Sequence, residues 1–272
     1  MHTLSITFAV KAFSLHRIGH GSFGEVFRAR SLEDGRDYAV KWFIDCFSSS
    51  MHRASVLKEV KRLEDLSPHP NIIHFVSAWE ERGRLHIQTE FYPHSLSEYT
   101  ASFFHSNPSS PSLPLDETWN IFFDLVNALS FLHSHSILHL DVKPDNVLLS
   151  AEKVCKLADF GLSLDTRTDL LSFDRKYGDY RYVDEETLSG RPSTATDIFA
   201  LGVTMVEAAT DMEIPKGGDK WRLLRQGILP ESILEVSDAN VVFSEGRENH
   251  HTSLPLSVVP SFASVWMRTS LD

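Results

Sequence analysis

His139-Leu140-Asp141-Val142-Lys143-Pro144-Asp145-Asn146, followed by Asp159-Phe160-Gly161, is the stretch on which the reading of this chain turns. Across residues 138–162, short apolar runs alternate with carboxylates, a lysine and an asparagine amide. Ionisable groups set among core-type residues mark where chemistry is to be sought. Helical patterns flank the stretch. Upstream, Trp119, Phe122, Phe123, Val126, Leu129 and Leu132 recur at helical spacing, and downstream residues 198–209 form a nearly all-apolar helix of the kind a core surrounds. Nearer the N-terminus the pattern changes to β-type runs at residues 23–30, 38–44, 72–79 and 84–90, with turn signals at Asp34-Gly35 and Arg82-Gly83. Between the second and third runs, Val56, Val60, Leu63 and Leu66 predict one amphipathic helix.

Composition bounds the function. A chain of 272 residues with 42% hydrophobic and 23% charged residues is long enough for one large domain or two packed lobes. Its net charge of −11 and lack of a basic run exclude a duplex-binding module, so no nucleic-acid partner is expected. Cys46 and Cys155 lie far apart and no secretory leader opens the chain, which points to a reducing compartment and no disulfide. The longest weakly polar runs fall short of the roughly 18 to 20 residues that cross a bilayer, so no membrane segment is expected. Residues 102–114, with three prolines and five serines, read as a mobile surface insertion. Residues 237–272 show no clear period.

A second motif lies near the N-terminus. Ile18-Gly19-His20-Gly21-Ser22-Phe23-Gly24-Glu25-Val26 spaces its glycines so that a hairpin backbone can fold over an anionic group with its N–H donors free for phosphate oxygens. Dinucleotide-binding turns carry a similar string between a strand and a helix, whereas strand-like residues follow directly here. Tyr38-Ala39-Val40-Lys41 then supplies a strand lysine that can reach the phosphates, and Glu59 on the predicted helix is its natural partner. A solvated helix charge is the alternative for Glu59.

Taken together, the loop, the lysine and the catalytic stretch resemble the protein kinase family over residues 13–230. The resemblance implies an α+β bilobal fold, with a β-rich N-lobe over residues 13–90, an α-rich C-lobe over 92–236, a divergent tail over 237–272, and Mg²⁺ and ATP in the cleft. It implies that Asp141 accepts the substrate hydroxyl proton, that Lys143 steadies the γ-phosphate, and that Asn146 and Asp159 hold Mg²⁺. The nucleotide would meet Ile18, Gly19, His20, Gly21, Ser22, Phe23, Gly24, Glu25 and Val26 of the loop. Ala39, Lys41, Thr89, Glu90, Tyr92 and Leu148 would complete that set, with Ile18, Val26 and Ala39 above adenine and Leu148 below. Asp197 resembles the buried acid that ties the catalytic loop to the large lobe. His139 would pack against Phe160, and His133 would cap or pack at a helix end.

Finer features are similar to the Wee/Myt group of inhibitory cell-cycle kinases, and most to its membrane-associated, tyrosine- and threonine-specific Myt branch. They are Leu140 in place of arginine, Gly178-Asp179-Tyr180-Arg181-Tyr182, Phe199, Met212-Glu213-Ile214-Pro215 with Trp221, Ser77-Ala78-Trp79-Glu80-Glu81, and Thr89 at the gatekeeper position. That group's activity is inhibitory phosphorylation of a cyclin-dependent kinase on the adjacent Thr and Tyr of its glycine-rich loop, restraining entry into mitosis. A cyclin-dependent kinase bound to its cyclin is then the expected partner. The expected location is cytoplasmic, peripheral to ER or Golgi membranes, with the nucleus as alternative. Leu140 cannot pair with an activation-loop phosphate, so no activating phosphorylation is expected.

Departures from the family pattern lie farther on. Where the family keeps Ala-Pro-Glu, this chain has Asp184-Glu185-Glu186, read here as a solvated acidic face. The family's buried arginine for that glutamate has no convincing match, Arg247 and Arg268 being candidates by default. Losing one partner of such a pair costs about 3 to 5 kcal/mol. The C-lobe end is therefore expected to be divergent or truncated, leaving apolar surface uncovered. Two alternatives stay open: a pseudokinase or interaction module, and a serine/threonine kinase with another substrate.

Overall fold

The computed structural model describes residues 12–21, 24–43, 50–110, 112–170 and 178–225, with backbone alone described for 12–14, 21, 50–52 and 54–56. Ser22, Phe23, Cys46, Arg247, Arg268 and the tail over 237–272 lie outside the described residues. The chain divides into two compact units between Pro93 and His94.

In the first unit, β1 (Ala12–Gly21), β2 (Gly24–Ser31), β3 (Asp37–Phe43), β4 (Phe75–Glu81) and β5 (Arg84–Glu90) form an antiparallel sheet in the order β1-β2-β3-β5-β4. Period-2 alternation decides its two faces. On one, Trp42 and Trp79 both lie opposite His86 in register, and the His86 ring stacks on Trp79 with centroids 5.2 Å apart. On the other, Lys41 lies opposite Val26 and Ile87. The helix α1 (Ser50–Leu66) buries Val60, Leu63 and Leu66; the side chain of Val56 is not described. The strand expected from residue 72 starts at Phe75, because Ile72 and Ile73 are buried in the connection ahead of it.

The second unit is mainly helical. Its long helices are α2 (Leu96–Ser106), α3 (Leu115–Ser134), α5 (Thr194–Thr210) and, shorter, α6 (Gly218–Arg225), with the single-turn α4 (Glu185–Leu188) before α5. Short strands β6 (His94–Ser95), β8 (Val147–Leu149) and β9 (Cys155–Leu157) form one small sheet, and β7 (Ile137–Leu138) pairs with β10 (Leu164–Asp165). Ser95 starts α2 through a capping box with Glu98, and Ser193 starts α5 through one with Thr196. Helix α5 is buried on nearly every side, as its apolar run predicts.

Two expectations change here. Residues 102–114 are not an insertion without structure: the first five continue α2 with Phe104 buried, and Leu113 is buried with its N–H donating to Ala209 O at 2.9 Å. Two apolar anchors outweigh a composition that looks unable to order itself. Helix α3 spans the predicted residues, but its buried face is Thr118, Ile121, Leu125, Ala128, Leu129 and Leu132. Phe123 is 60% exposed and stacks on Trp119 at 5.6 Å. The aromatic half of the predicted stripe is thus rotated off the core.

Candidate active site

The glycine string folds as the tip of the β1–β2 hairpin, with Gly19 opposite Val26, His20 opposite Glu25 and Gly21 opposite Gly24. No helix follows, which removes the dinucleotide-turn reading. A register shift between Arg17 and Gly19 places a bulge at Ile18. Glu25 is held by Arg17 at 2.8 Å. Gly24 has a steric reason of its own, since a Cβ there would lie 2.2 Å from Trp42 O. One of the loop's glycines is therefore demanded by the close approach of β3.

Lys41 Nζ donates to Glu59 Oε1 at 3.1 Å, and Glu59 is only 7% exposed. Glu59 is therefore not a solvated helix charge. Its desolvation is offset by the lysine, and either partner alone would be an uncompensated charge in a mostly dry place. On the neighbouring strands Ala39 pairs with Thr89. Glu90 accepts from His74 N at 2.7 Å and from Tyr92 Oη at 3.2 Å, which fixes the end of β5.

In the second unit the sequence brings Asp141, Lys143 and Asn146 onto one turn. Lys143 Nζ donates to both Asp141 carboxylate oxygens, at 3.1 and 2.9 Å. The Asn146 amide donates to Asp141 O at 2.8 Å and to Asp141 Oδ2 at 2.6 Å. With its N–H₂ so committed, the Asn146 oxygen is the atom that could meet a cation. Asp159 follows Ala158, whose N–H donates to Asn146 O at 2.8 Å, so one hydrogen-bonded junction carries both oxygen donors. An amide oxygen and a carboxylate form the hard donor set that Mg²⁺ takes. Asp159 has φ +61° and Leu140 +64°, backbone conformations that non-glycine residues seldom hold. Leu148 lies on β8 opposite Ser95 and Lys156.

Fixing this turn is the fully buried carboxylate of Asp197. It accepts from His139 N at 2.9 Å, from Leu140 N at 2.8 Å and from His133 Nε2 at 2.8 Å. His133 is thus a member of the scaffold that sequence spacing gave no means of finding, since 64 residues separate it from Asp197. His139 is buried, and burial pushes its pKa below the ordinary histidine value. Its neutral ring fills both roles: Nδ1 accepts from Asp141 N at 3.3 Å and Nε2 donates to Ala158 O at 3.1 Å, with Phe160 edge-on at 4.9 Å. Both nitrogens are engaged in holding backbone. Leu140 turns into an apolar cluster with Leu138, Leu162 and Leu164, so hydrophobic contact stands where an arginine would await phosphate.

Beyond this core, Arg181 forms a bidentate pair with Asp179 at 2.6 to 3.0 Å. Burial works to raise the Asp179 pKa, but the Arg181 hydrogen bonds bring it below the usual carboxylate range. Tyr182 Oη donates to Glu207, and burial raises both pKa values. Asp184 corrects an expectation. Only the following Glu185 and Glu186 are exposed; Asp184 is buried, caps α4 by accepting from Thr187 N at 3.1 Å, and accepts from Thr196 Oγ1 at 3.3 Å. Arg225 was also missed. It stacks 3.6 Å over Trp221, donates to Tyr180 O at 2.8 Å, and is pushed down to about 10 by burial against the opposing pull of Glu185 and Asp184.

A kinase-type arrangement is the common reading of these parts, and comparison with known proteins agrees: the protein kinase domain family matches residues 13–249, and this chain belongs to the protein kinase family. Its α+β fold, a β-sheet unit followed by a helical unit, is that family's. The chain is 43% identical over 226 residues to the membrane-associated tyrosine- and threonine-specific cdc2-inhibitory kinase wee-1.3 of Caenorhabditis briggsae, covering 83% of this chain and 33% of that protein. It is 41% identical over 237 residues to the kinase of the same description from Drosophila melanogaster, covering 86% and 43%. The mitosis inhibitor protein kinase wee1 of Schizosaccharomyces pombe is 29% identical over 241 residues, covering 87% and 27%. The chain thus spans between about a quarter and under half of the length of these relatives. Among the described residues no helix is long and apolar enough to cross a membrane.

Proposed function

We propose that this chain is a Mg²⁺- and ATP-dependent protein kinase of the Wee/Myt type that phosphorylates a cyclin-dependent kinase, bound to its cyclin, on the Thr and Tyr of the glycine-rich loop. The observation that carries the reading is the convergence of Lys143 and Asn146 on the Asp141 carboxylate, above a backbone held by Asp197. Asp141 takes the hydroxyl proton, and Lys143 meets the transferring phosphoryl oxygens. Hairpin N–H groups and Lys41, oriented by Glu59, hold the remaining phosphates. Asn146 and Asp159 would hold the cation, which neutralises charge on the phosphate oxygens when bound. Such in-line transfer depends on placement and charge stabilisation, and this chain supplies groups for both. The choice of substrate and an association with membranes follow the names of the relatives, and a cytoplasmic location follows the family resemblance.

The test is transfer from Mg·ATP to a catalytically dead cyclin-dependent kinase in complex with cyclin, with the modified residue mapped by mass spectrometry. Phosphate on the glycine-loop Thr or Tyr, reduced about 10² to 10⁴-fold by Asp141→Asn, is expected. Phosphate on other residues alone would give the chain a different substrate. No transfer by a folded, nucleotide-binding protein would make it a pseudokinase.

A further inference from the structure

Gly178 lies against the catalytic turn. What excludes a side chain is Asp141. A Cβ at 178 would lie 2.2 Å from Asp141 Oδ1, 3.0 Å from its Cγ and 3.2 Å from Leu162 Cδ1. The tip of an aspartate ordinarily swings aside at little cost. This one is held by Lys143 Nζ at 3.1 and 2.9 Å and by Asn146 Nδ2 at 2.6 Å, and cannot yield without loosening those bonds.

We propose that Gly178 is a positioning residue, whose missing side chain sets where the Asp141 carboxylate stands. The proposal rests on the reading of Asp141 as the base. It separates two effects that a substitution usually mixes. The atom that must give way is a side-chain oxygen and not backbone, so a methyl group at 178 disturbs the reacting geometry far more than the fold.

Gly178→Ala, in the full chain, is expected to lower kcat about 100-fold, the scale of a 1 Å misplacement, with KM for ATP unchanged. A cycle of thermal melts on the wild type, Gly178→Ala, Asp141→Ala and the double variant reads the contact without any activity. Gly178→Ala should lower the melting temperature beside Asp141 and leave it unchanged beside Ala at 141, where the space is vacated. Wild-type kcat in Gly178→Ala would overturn the proposal. So would an equal melting shift in both backgrounds, which would assign the crowding to Leu162. If the wild type transfers no phosphate, the kinase reading falls by itself, and the melting cycle still upholds or overturns the contact.

Discussion

The two units hold their key charges by different means. In the first, Lys41 and Glu59 hold one another at 3.1 Å, and the phosphate-loop candidate is carried by the β1–β2 hairpin. In the second, Asp197 accepts three hydrogen bonds, and Asp141 is met by Lys143, Asn146 and the wall at Gly178. The difference teaches which half of the chemistry is built in advance. A multiply bonded buried carboxylate is set by folding itself, because leaving any of its donors unpaired is costly. A charge pair on the strand beside a glycine hairpin is the natural place for a nucleotide to complete the order.

Removing the most heavily used carboxylate should break this contrast most severely. Asp197→Ala strands the His139 and Leu140 N–H groups and the His133 ring, at about 1 to 3 kcal/mol for each donor left unpaired. Together these approach a typical domain's margin of about 5 to 15 kcal/mol. Urea titration followed by circular dichroism should find the variant mostly unfolded or sharply destabilised; a wild-type midpoint would mean that water replaces the carboxylate.

On the other side of the comparison, Lys41→Met should cost turnover and also some stability, because Glu59 is left as an uncompensated charge. Losing one preorganised cation is worth about 10²-fold or more in kcat. Steady-state kinetics and a melt on the same sample check both halves, and wild-type turnover would remove Lys41 from phosphate binding. His133→Ala sharpens the account at smaller scale. Asp197 keeps its two backbone donors, so the expected loss is about 1.5 to 3 kcal/mol, the range for a hydrogen bond to a charged group.

The smallest effect concerns Asp184. Burial raises its carboxyl in the fold above the ordinary 3.8, so the folded chain binds this proton more readily than the unfolded one. Stability from this group is therefore greatest in acid and declines as pH rises through 3.8 toward the raised value. Asp184→Asn keeps a capping side chain and removes that decline. Melting temperature against pH, compared between the two proteins, should show a shallower loss in the variant over that window.

Much of the chemistry was legible because residue type and spacing carry it. The glycine string followed by strand residues announced a hairpin, and the order His139, Asp141, Lys143, Asn146, Asp159 announced a turn rich in oxygen donors. Pairings across long separations were not. Nothing local says that His133 and Asp197 meet, or that Arg225 reaches Tyr180, because the helices that bring them together are placed by packing alone. Polarity misled twice. Asp184 heads an acidic run that looks solvated, yet its carboxylate is consumed by the cap of α4 and by Thr196. Residues 102–114 look unable to order, yet Phe104 and Leu113 fasten them. Aromatic content misled once, in α3, where Trp119, Phe122 and Phe123 have helical spacing but smaller side chains take the core.

We propose that the second unit's site is set by the polypeptide without an added phosphate, the Leu140 cluster standing where other kinases carry a phosphate-pairing arginine. The most direct test is single-turnover phosphoryl transfer by phosphatase-treated protein, beside untreated protein and Asp141→Asn. The account predicts equal rates for the first two and loss in the third. Activity that disappears on phosphatase treatment and returns on rephosphorylation would contradict it.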